Sequence, residues 1–189
     1  MVDTGRPEQT LALPHHSLVV LCGPAAAGKS TFAAEVVRTN GLASTAVVSS
    51  DACRLLLCDD TGAVAPAEWP VLQPNTFDLF VTIVGMRLAI GRPTVADGVN
   101  LHMELRPRLL EQARRHRRPN ALIVFDVALE TCLARNARRA RRMPEEQIRA
   151  QRRALDEQLP HLADEGWDHV VRLDDRRRGA RLAFANGPS

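Results

Sequence analysis

One segment of the sequence has the residue types and spacing needed to bind a chain of phosphates. It consists of Gly23, Pro24, Ala25, Ala26, Ala27, Gly28, Lys29, Ser30 and Thr31, a Gly-x-x-x-x-Gly-Lys-Ser pattern with one more hydroxyl. The backbone N–H groups of such a loop, with the N-terminus of the following helix, cradle phosphate oxygens. In this pattern Lys29 neutralises the β- and γ-phosphates, Ser30 is a ligand for Mg²⁺, and Thr31 adds a phosphate hydrogen bond. The segment predicts a site for ATP, or another nucleoside triphosphate, with Mg²⁺.

The composition supports this prediction through its basic residues. Of the 25 lysines and arginines, all except Lys29 are arginine. A general bias toward arginine explains the majority, but it does not explain why the exception lies in this loop. A compact ammonium reaches between two phosphates, where the wider guanidinium fits poorly. A chance match in a tight turn is the alternative interpretation, and the lone lysine makes it the weaker one.

A carboxylate and an arginine, Asp51 and Arg54, follow the next apolar run. A carboxylate at the end of a buried strand can accept a proton from an attacking hydroxyl. Arg54 lies one helical turn further on, so it can hold an anionic group of the acceptor beside Asp51. The alternative is that Asp51 only caps the helix that follows, as aspartate often does. The spacing of these residues alone favours neither interpretation over the other.

A third acidic position, Asp97, ends another apolar run and is followed by Gly98 and Asn100. An aspartate at this place typically supports Mg²⁺, here through a water molecule. Asp-Gly is also a strong turn former, so a purely structural turn is the alternative. Both can hold, because the turn would deliver Asp97 to the site.

Two arginines in a basic segment, Arg135 and Arg139, lie four residues apart and are predicted to share a helix face. As a lid over the phosphate loop they would bind the transferring phosphoryl group and reduce its charge in the transition state. For most arginines of this segment, a solvated helix surface is the better interpretation. A second cluster contains Arg106, Arg108, Arg114, Arg115, Arg117 and Arg118, and could extend a basic surface for nucleic acid.

These residues need a scaffold that brings them to one edge, and the apolar pattern predicts one. Buried strands are predicted at Leu18–Cys22, Ala46–Ser49, Thr94–Asp97, Ala121–Asp126 and His169–Leu173. Helices are predicted at Lys29–Thr39, Thr76–Ile90, His102–His116, Leu129–Arg138 and Pro144–Ala163, with an extended loop at Asp59–Asn75. Strands that alternate with helices predict an α/β fold: a parallel five-stranded sheet with helices on both faces and an arginine-bearing helical lid.

The length and composition of the chain lead to expectations about its domains, its location and its cysteines. The 189 residues suit one domain, divided here into an extension at 1–17, the domain at 18–173 and a tail at 174–189 that includes Arg176–Arg178 and the end near Pro188. No secretory signal and no membrane-spanning run is visible, so we expect no membrane partner and a cytoplasmic protein. The four cysteines show no zinc-like spacing and are expected to be small buried residues.

Taken together, the segments resemble the 5′-kinase module of polynucleotide kinases, particularly of bacterial polynucleotide kinase/phosphatase end-healing proteins. The resemblance runs from about Leu18 to Leu173 and is carried by Gly23–Thr31, Val48–Arg54 with Asp59 and Asp60, Phe77 and Asp78, Val95–Asn100, Phe125 and Asp126, and Cys132–Asn136 with Arg139. This chain departs from the family pattern at Val99, where a threonine is frequent, and at Ala25–Ala27, where glycine and serine are usual.

The resemblance implies a P-loop kinase fold and a role for each matching residue. It implies that Asp51 is the general base for the 5′-hydroxyl, that Arg54 contacts the neighbouring phosphate of the nucleic acid, and that Arg135 and Arg139 bind the phosphates of the donor. The first hypothesis is therefore an ATP- and Mg²⁺-dependent kinase for the 5′-hydroxyl end of DNA or RNA. The alternatives are a phosphotransferase for a small hydroxylated molecule, such as a sugar, nucleoside or antibiotic, and a nucleotide-dependent switch without catalysis.

Overall fold

The computed structural model describes residues 10–58, 64–65, 67–175 and 181–185. Asp59, Asp60, Arg176–Arg178 and the C-terminal Pro188 lie outside these residues. The described strands are β1 (Thr10–Pro14), β2 (Leu18–Cys22), β3 (Val47–Ser49), β4 (Thr94–Asp97), β5 (Asn120–Asp126), β6 (His169–Asp174) and β7 (Arg181–Ala185). The helices are α1 (Lys29–Thr39), α2 (Ser50–Leu57), α3 (Trp69–Ala89), α4 (Leu105–Arg115), α5 (Leu129–Ala137) and α6 (Glu145–Gln158). Short 3-10 helices occupy Ser44–Ala46 and Leu159–Glu165.

Five strands form one parallel sheet in the order β3-β4-β2-β5-β6. Val19 of the central strand β2 is paired with Val95 on one side and with Ala121 on the other. The expected α/β fold with a parallel five-stranded sheet is confirmed. Since all five strands run the same way, their carboxyl ends meet at one edge, where ligands of such sheets bind.

The sheet separates two hydrophobic cores because side chains of β2 alternate between its faces. Val20 faces a core that contains Phe80 of α3 and Leu109 of α4. Leu21 faces the opposite core, which contains Val36 of α1 and Cys132 of α5. Helices therefore cover both faces of the sheet, and each face is closed to water before any ligand binds.

The long helix α3 begins at Trp69, inside the segment predicted as a loop, so the loop prediction is wrong from Trp69 to Asn75. Three prolines at positions 66, 70 and 74 favoured the loop. Pro70 lies in the first turn, where a missing N–H costs no helical hydrogen bond. Pro74 lies further inside and removes one bond. The buried residues beyond it, such as Phe80 and Val84, anchor the helix in the core.

A second parallel sheet, made of β1 and β7, was not predicted from the sequence. Asn40, just after α1, ties this pair to the domain: its side-chain amide donates to Leu182 O at 2.9 Å and its Oδ1 accepts from Phe184 N–H at 2.7 Å. Leu13 and Phe184 are buried in the same core as α1. None of the described helices is both long enough and apolar enough to cross a membrane.

Candidate nucleotide and acceptor site

The phosphate loop joins β2 to α1, and its backbone leaves little room for side chains. A Cβ at Gly23, which has φ 145°, would lie 2.7 Å from the carbonyl oxygen of Phe125. Gly28 precedes α1 with φ 109°, and Ala26 adopts φ 61°, a left-handed conformation that is uncommon outside glycine. The alanine-rich middle of the loop therefore still adopts a conformation with a positive φ angle.

Lys29 is buried at the start of α1 and points back into the loop. Its ammonium donates to Gly23 O at 2.8 Å and to Pro24 O at 2.6 Å. Burial lowers the pKa of Lys29 to about 8, and the nearby Asp97 carboxylate opposes this shift. Phosphate oxygens would supply the negatively charged partners that favour the ammonium form of Lys29 in this buried position.

Ser30 and Asp97 are brought together from separate elements, because the carboxyl end of β4 lies beside the start of α1. Burial raises the pKa of the Asp97 carboxyl. The Ser30 hydroxyl and the Lys29 cation oppose this shift, whereas the Asp51 carboxylate adds to it. A hydroxyl and a carboxylate are the hard oxygen donors that suit Mg²⁺, so both residues fit that ion, with Asp97 acting through water.

An open cavity of about 740 Å³ lies over the loop. It is lined by Ala26–Phe32 and, among others, by Arg135 and Arg139. Arg135 donates to Ala27 O at 2.9 Å, so it already contacts the loop. Arg139 lies beyond the end of α5, in the turn after Arg138, so the prediction that the two arginines share a helix face is wrong. The turn nevertheless brings both guanidinium groups to the same cavity.

The segment that carries Arg139 is held by the buried Asn136. Its side-chain amide donates to Met143 O at 2.9 Å, and its Oδ1 accepts from Met143 N–H at 3.0 Å. These two hydrogen bonds, called the Asn136 clamp, close residues 136–143 into a loop whose two ends are held together. The sequence analysis placed Asn136 in the motif but assigned it no role.

Three further residues at the site were not predicted. Gln151 of α6 accepts a hydrogen bond from Ala25 N–H at 2.8 Å. Phe32 lines the cavity and contacts the ring of Phe125 edge to face at 5.6 Å. Arg181 of β7 also lines the cavity. None of these three was singled out in the sequence, whereas Phe125, which Phe32 contacts, had a signal because it sits near the carboxyl end of a predicted strand.

Asp51 and Arg54 lie on α2, at the same edge of the sheet. The helix is capped by Ser49, whose Oγ accepts from Ala52 N–H at 3.4 Å, so the alternative in which Asp51 only caps this helix is wrong. The Asp51 side chain is 84% exposed and that of Arg54 is 11% exposed, with 3.4 Å between Arg54 Nη2 and Asp51 Oδ1. The exposed carboxylate is free to meet a hydroxyl group.

Part of the second basic cluster is held by contacts within the protein. Arg106 is buried and donates to Glu165 and to Asn100 O. Arg118 donates to Leu88 O, at the end of α3. The expectation of a basic surface is therefore wrong for the buried Arg106, and for the exposed members of the cluster it stays a prediction.

The arrangement has two halves that meet at Asp97. On one side, Lys29, Ser30 and Arg139 surround the place for a phosphate chain; on the other, Asp51 exposes its carboxylate. Asp97 is paired with Ser49 of β3, which directly precedes the helix that carries Asp51, so the two halves are adjacent. Such a geometry can hold a donor phosphate and accept a proton from an attacking group, which is the chemistry of phosphoryl transfer.

Comparison with known proteins gives a family and a set of related folds. Residues 18–162 match the family model described as "AAA domain". A similar curated protein is L-seryl-tRNA(Sec) kinase of Mus musculus, which is 24% identical over 209 aligned residues, covering 82% of this chain. The chain spans only 58% of that relative's length.

Two solved structures share the fold. The structure of the Pnkp1/Rnl/Hen1 RNA repair complex contains a chain that matches with a TM-score of 0.60 and 18% identity, over 85% of this chain and 48% of that one. A sugar kinase from Janibacter sp. HTCC2649 matches with a TM-score of 0.58 and 20% identity, over 85% of this chain and 86% of that one. At these identities the similarity shows the fold alone.

Proposed function

Because the chain belongs to the family described as "AAA domain", we propose that it is an ATP-dependent P-loop kinase that phosphorylates 5′-hydroxyl ends of DNA or RNA with Mg²⁺. The observation that carries the proposal is the Asp51–Arg54 pair. An exposed carboxylate stands beside a guanidinium at the edge that also holds Lys29, Ser30 and Asp97. A hydroxyl next to a phosphodiester is the acceptor that matches this pair.

The names of two similar proteins both refer to RNA. One is named a kinase of L-seryl-tRNA(Sec), and the other belongs to an RNA repair complex. These names support an acceptor that is part of, or attached to, a nucleic acid. The 5′-hydroxyl end as the acceptor comes from the sequence resemblance to polynucleotide kinase modules.

Each residue has a role in the proposed reaction. Lys29, Arg135 and Arg139 hold the γ-phosphate and stabilise its charge in the transition state. Ser30 would hold Mg²⁺ directly and Asp97 through water, and the ion would neutralise charge on the β- and γ-phosphates. Asp51 accepts the proton of the 5′-hydroxyl as its oxygen attacks phosphorus, and ADP leaves with the bridging oxygen. Arg54 orients the acceptor through its neighbouring phosphate.

The decisive experiment uses ATP labelled on its γ-phosphate, Mg²⁺, and 5′-hydroxyl oligonucleotides of DNA and RNA. We expect label on at least one oligonucleotide with the native protein. Asp51→Asn removes the proton acceptor while conserving size, and should lower kcat by about 10²–10⁴-fold with ATP binding retained. Asp78→Asn is the matched control, because that carboxylate pairs with Arg108 on α4 and should be dispensable. Unchanged transfer by Asp51→Asn would remove Asp51 from the mechanism.

A phosphotransferase for a small hydroxylated molecule is the second candidate, and one observation favours it. The arginines that could have extended a nucleic-acid surface, such as Arg106 and Arg118, are engaged within the protein. These arginines are therefore not available to bind a long nucleic acid, and a small acceptor would not need them. Salt separates the candidates, because the affinity for an oligonucleotide falls steeply as salt rises, whereas the affinity for a neutral sugar does not. If no acceptor becomes labelled although ATP binds tightly, a nucleotide-dependent switch is favoured instead.

A further inference from the structure

We propose that Trp69 is a specificity-determining residue whose indole stacks on the base of the acceptor's 5′-terminal nucleotide, beside the phosphate held by Arg54. The inference rests on the proposed function, and it adds a base-recognition residue on α3 to an acceptor site otherwise built from α2. It implies that the kinase recognises a nucleotide with a base, rather than any hydroxyl next to a phosphate.

The contact between Trp69 and Arg54 is the first observation. The guanidinium carbon of Arg54 lies 5.9 Å from the centroid of the Trp69 ring, within the range of a cation–π interaction. The same guanidinium reaches Asp51 at 3.4 Å. The carboxylate, the cation and the aromatic ring therefore lie close together, as do the hydroxyl, the phosphodiester and the base that one sugar carries in a nucleotide.

The hydrogen bonding of Arg54 is the second observation. Its side chain is 11% exposed, and its buried Nη1 finds no hydrogen-bond acceptor among the residues that the structure describes. A buried donor without a partner is costly, and it is uncommon in folded proteins. An oxygen of an incoming phosphodiester would satisfy this donor, which favours an anionic group beside Trp69 over a neutral one.

The exposure of Trp69 is the third observation. The chain has two tryptophans and no tyrosine. Trp167 is 7% exposed and donates its indole N–H to Glu165, as a core residue does, whereas Trp69 is 41% exposed. A large aromatic surface left open next to a cation offers a stacking platform for a base.

Two more residues on the Trp69 face of α3 contact His102, and these four residues form an aromatic and polar wall. Trp69, Gln73 and Phe77 are spaced by four residues and therefore share a face of the helix. Gln73 Nε2 lies 3.1 Å from His102 Nε2, and the Phe77 and His102 rings are 5.0 Å apart. His102 follows the loop that begins at Asp97. This wall combines aromatic faces with polar edges, which suits a heterocyclic base.

The test compares variants at Trp69 on paired acceptors. We would measure kcat and KM for a 5′-hydroxyl trinucleotide and for the same trinucleotide with an abasic first residue. Trp69→Ala should raise KM for the normal acceptor by about tenfold or more, because a base–aromatic stack is lost. Trp69→Phe keeps an aromatic ring, so its KM for the normal acceptor should be close to that of the native protein. Val71→Ala is the matched control, since Val71 is 67% exposed on the same helix.

The abasic acceptor separates stacking from a structural effect. If Trp69 stacks on the base, the native protein should already have a raised KM for the abasic acceptor, and Trp69→Ala should change it little further. The KM for ATP and the melting temperature should stay the same in all variants. The inference would be overturned if Trp69→Ala raised KM equally for both acceptors, or raised it for the abasic acceptor alone.

A fluorescence titration distinguishes failure of this inference from failure of the proposed function. Adding the trinucleotide without ATP should quench the tryptophan emission of the native protein, and Trp69→Phe should abolish the quenching. If no label is transferred but this quenching occurs, the proposed kinase reaction fails while the Trp69 inference stands. If label is transferred and neither quenching nor the KM difference appears, the inference fails alone. Absence of label and of quenching would overturn both.

Discussion

At the scale of single residues, the buried Lys29 shows how the loop is built for an anion. The ammonium contacts two backbone carbonyls of its own loop, and burial reduces its pKa. Backbone carbonyls carry only partial charge, so they do not offset the loss of water around a full positive charge. A triphosphate does, which makes the loop a site whose electrostatics are completed by its ligand.

This leads to a pH dependence of ATP binding. The free protein holds the Lys29 proton with a pKa of about 8, and a bound triphosphate raises this pKa because it favours the ammonium. Above pH 8 binding therefore takes up a proton, and the dissociation constant should rise by about tenfold per pH unit. Titration calorimetry from pH 7 to 10 would measure this. The Lys29→Met variant should bind ATP more weakly at every pH and should lack this added pH dependence. If its dissociation constant rose with pH as steeply as that of the native protein, the assignment of the effect to Lys29 would be contradicted.

Single residues also show why glycine is required at one loop position and not at another. Gly23 has backbone atoms of Phe125 at the place where a Cβ would stand. Ala26 has a positive φ of 61° without such a contact, so a methyl group fits there at the cost of local strain. The alanine at this position therefore adds local strain to the backbone of the loop.

At the scale of elements, short segments decide where the groups proposed for catalysis lie. Ser49 caps α2 and thereby starts the helix at Ser50, which places Asp51 in its exposed first turn and Arg54 one turn further. On the other side of the cavity, α5 ends at Ala137, and the Asn136 clamp sets the path of the following turn. The acceptor and donor sides thus depend on two local hydrogen-bonding motifs.

The Asn136 clamp predicts a separable effect on the donor. Asn136→Ala deletes both hydrogen bonds to Met143 and frees the turn that carries Arg139. We expect KM for ATP to rise several-fold and the free energy of unfolding to fall by about 1–3 kcal/mol. Steady-state kinetics and urea denaturation would measure the two effects. Arg141→Ala, in the same turn and exposed, should change neither; if it matched Asn136→Ala, the effect would belong to the charge of the turn.

At the scale of the whole molecule, one buried arginine connects several elements. Arg106 of α4 donates to Glu165 through Nη2 at 2.5 Å, to Gln158 at 2.8 Å and to Asn100 O at 2.8 Å, and its side chain is 2% exposed. Asn100 in turn donates to Leu21 O in the central strand at 2.7 Å. The network joins the loop after β4 to the outer helices, so it supports the edge on which Asp97 stands.

Replacing Arg106 should therefore affect the fold more than the binding of nucleic acid. Arg106→Leu leaves Glu165 without its buried partner and should lower the free energy of unfolding by about 3–5 kcal/mol. Arg115→Leu, exposed on the same helix, should stay within about 0.5 kcal/mol. Urea denaturation would give both values. A stable Arg106→Leu protein that has lost only oligonucleotide affinity would restore Arg106 to a nucleic-acid surface.

The sequence by itself determined the phosphate loop and the five strands of the main sheet, because these depend on local patterns: fixed glycine spacing and short runs of Val, Ile and Leu. It also placed Asp51 and Asp97 correctly at the edge where parallel strands end. Periodicity alone set α1 at Lys29–Thr39, and the helix is found there.

Only the tertiary structure decided the features that depend on contacts between distant segments. The β1–β7 pair forms between chain ends more than 160 residues apart. Helix α3 begins at Trp69 despite its prolines, because burial of its later turns outweighs local propensity. The Trp69–Arg54 contact and the Gln151–Ala25 bond join elements whose spacing in the chain gives no signal. Such contacts are stabilised by burial and by charge, which depend on where the chain returns in space.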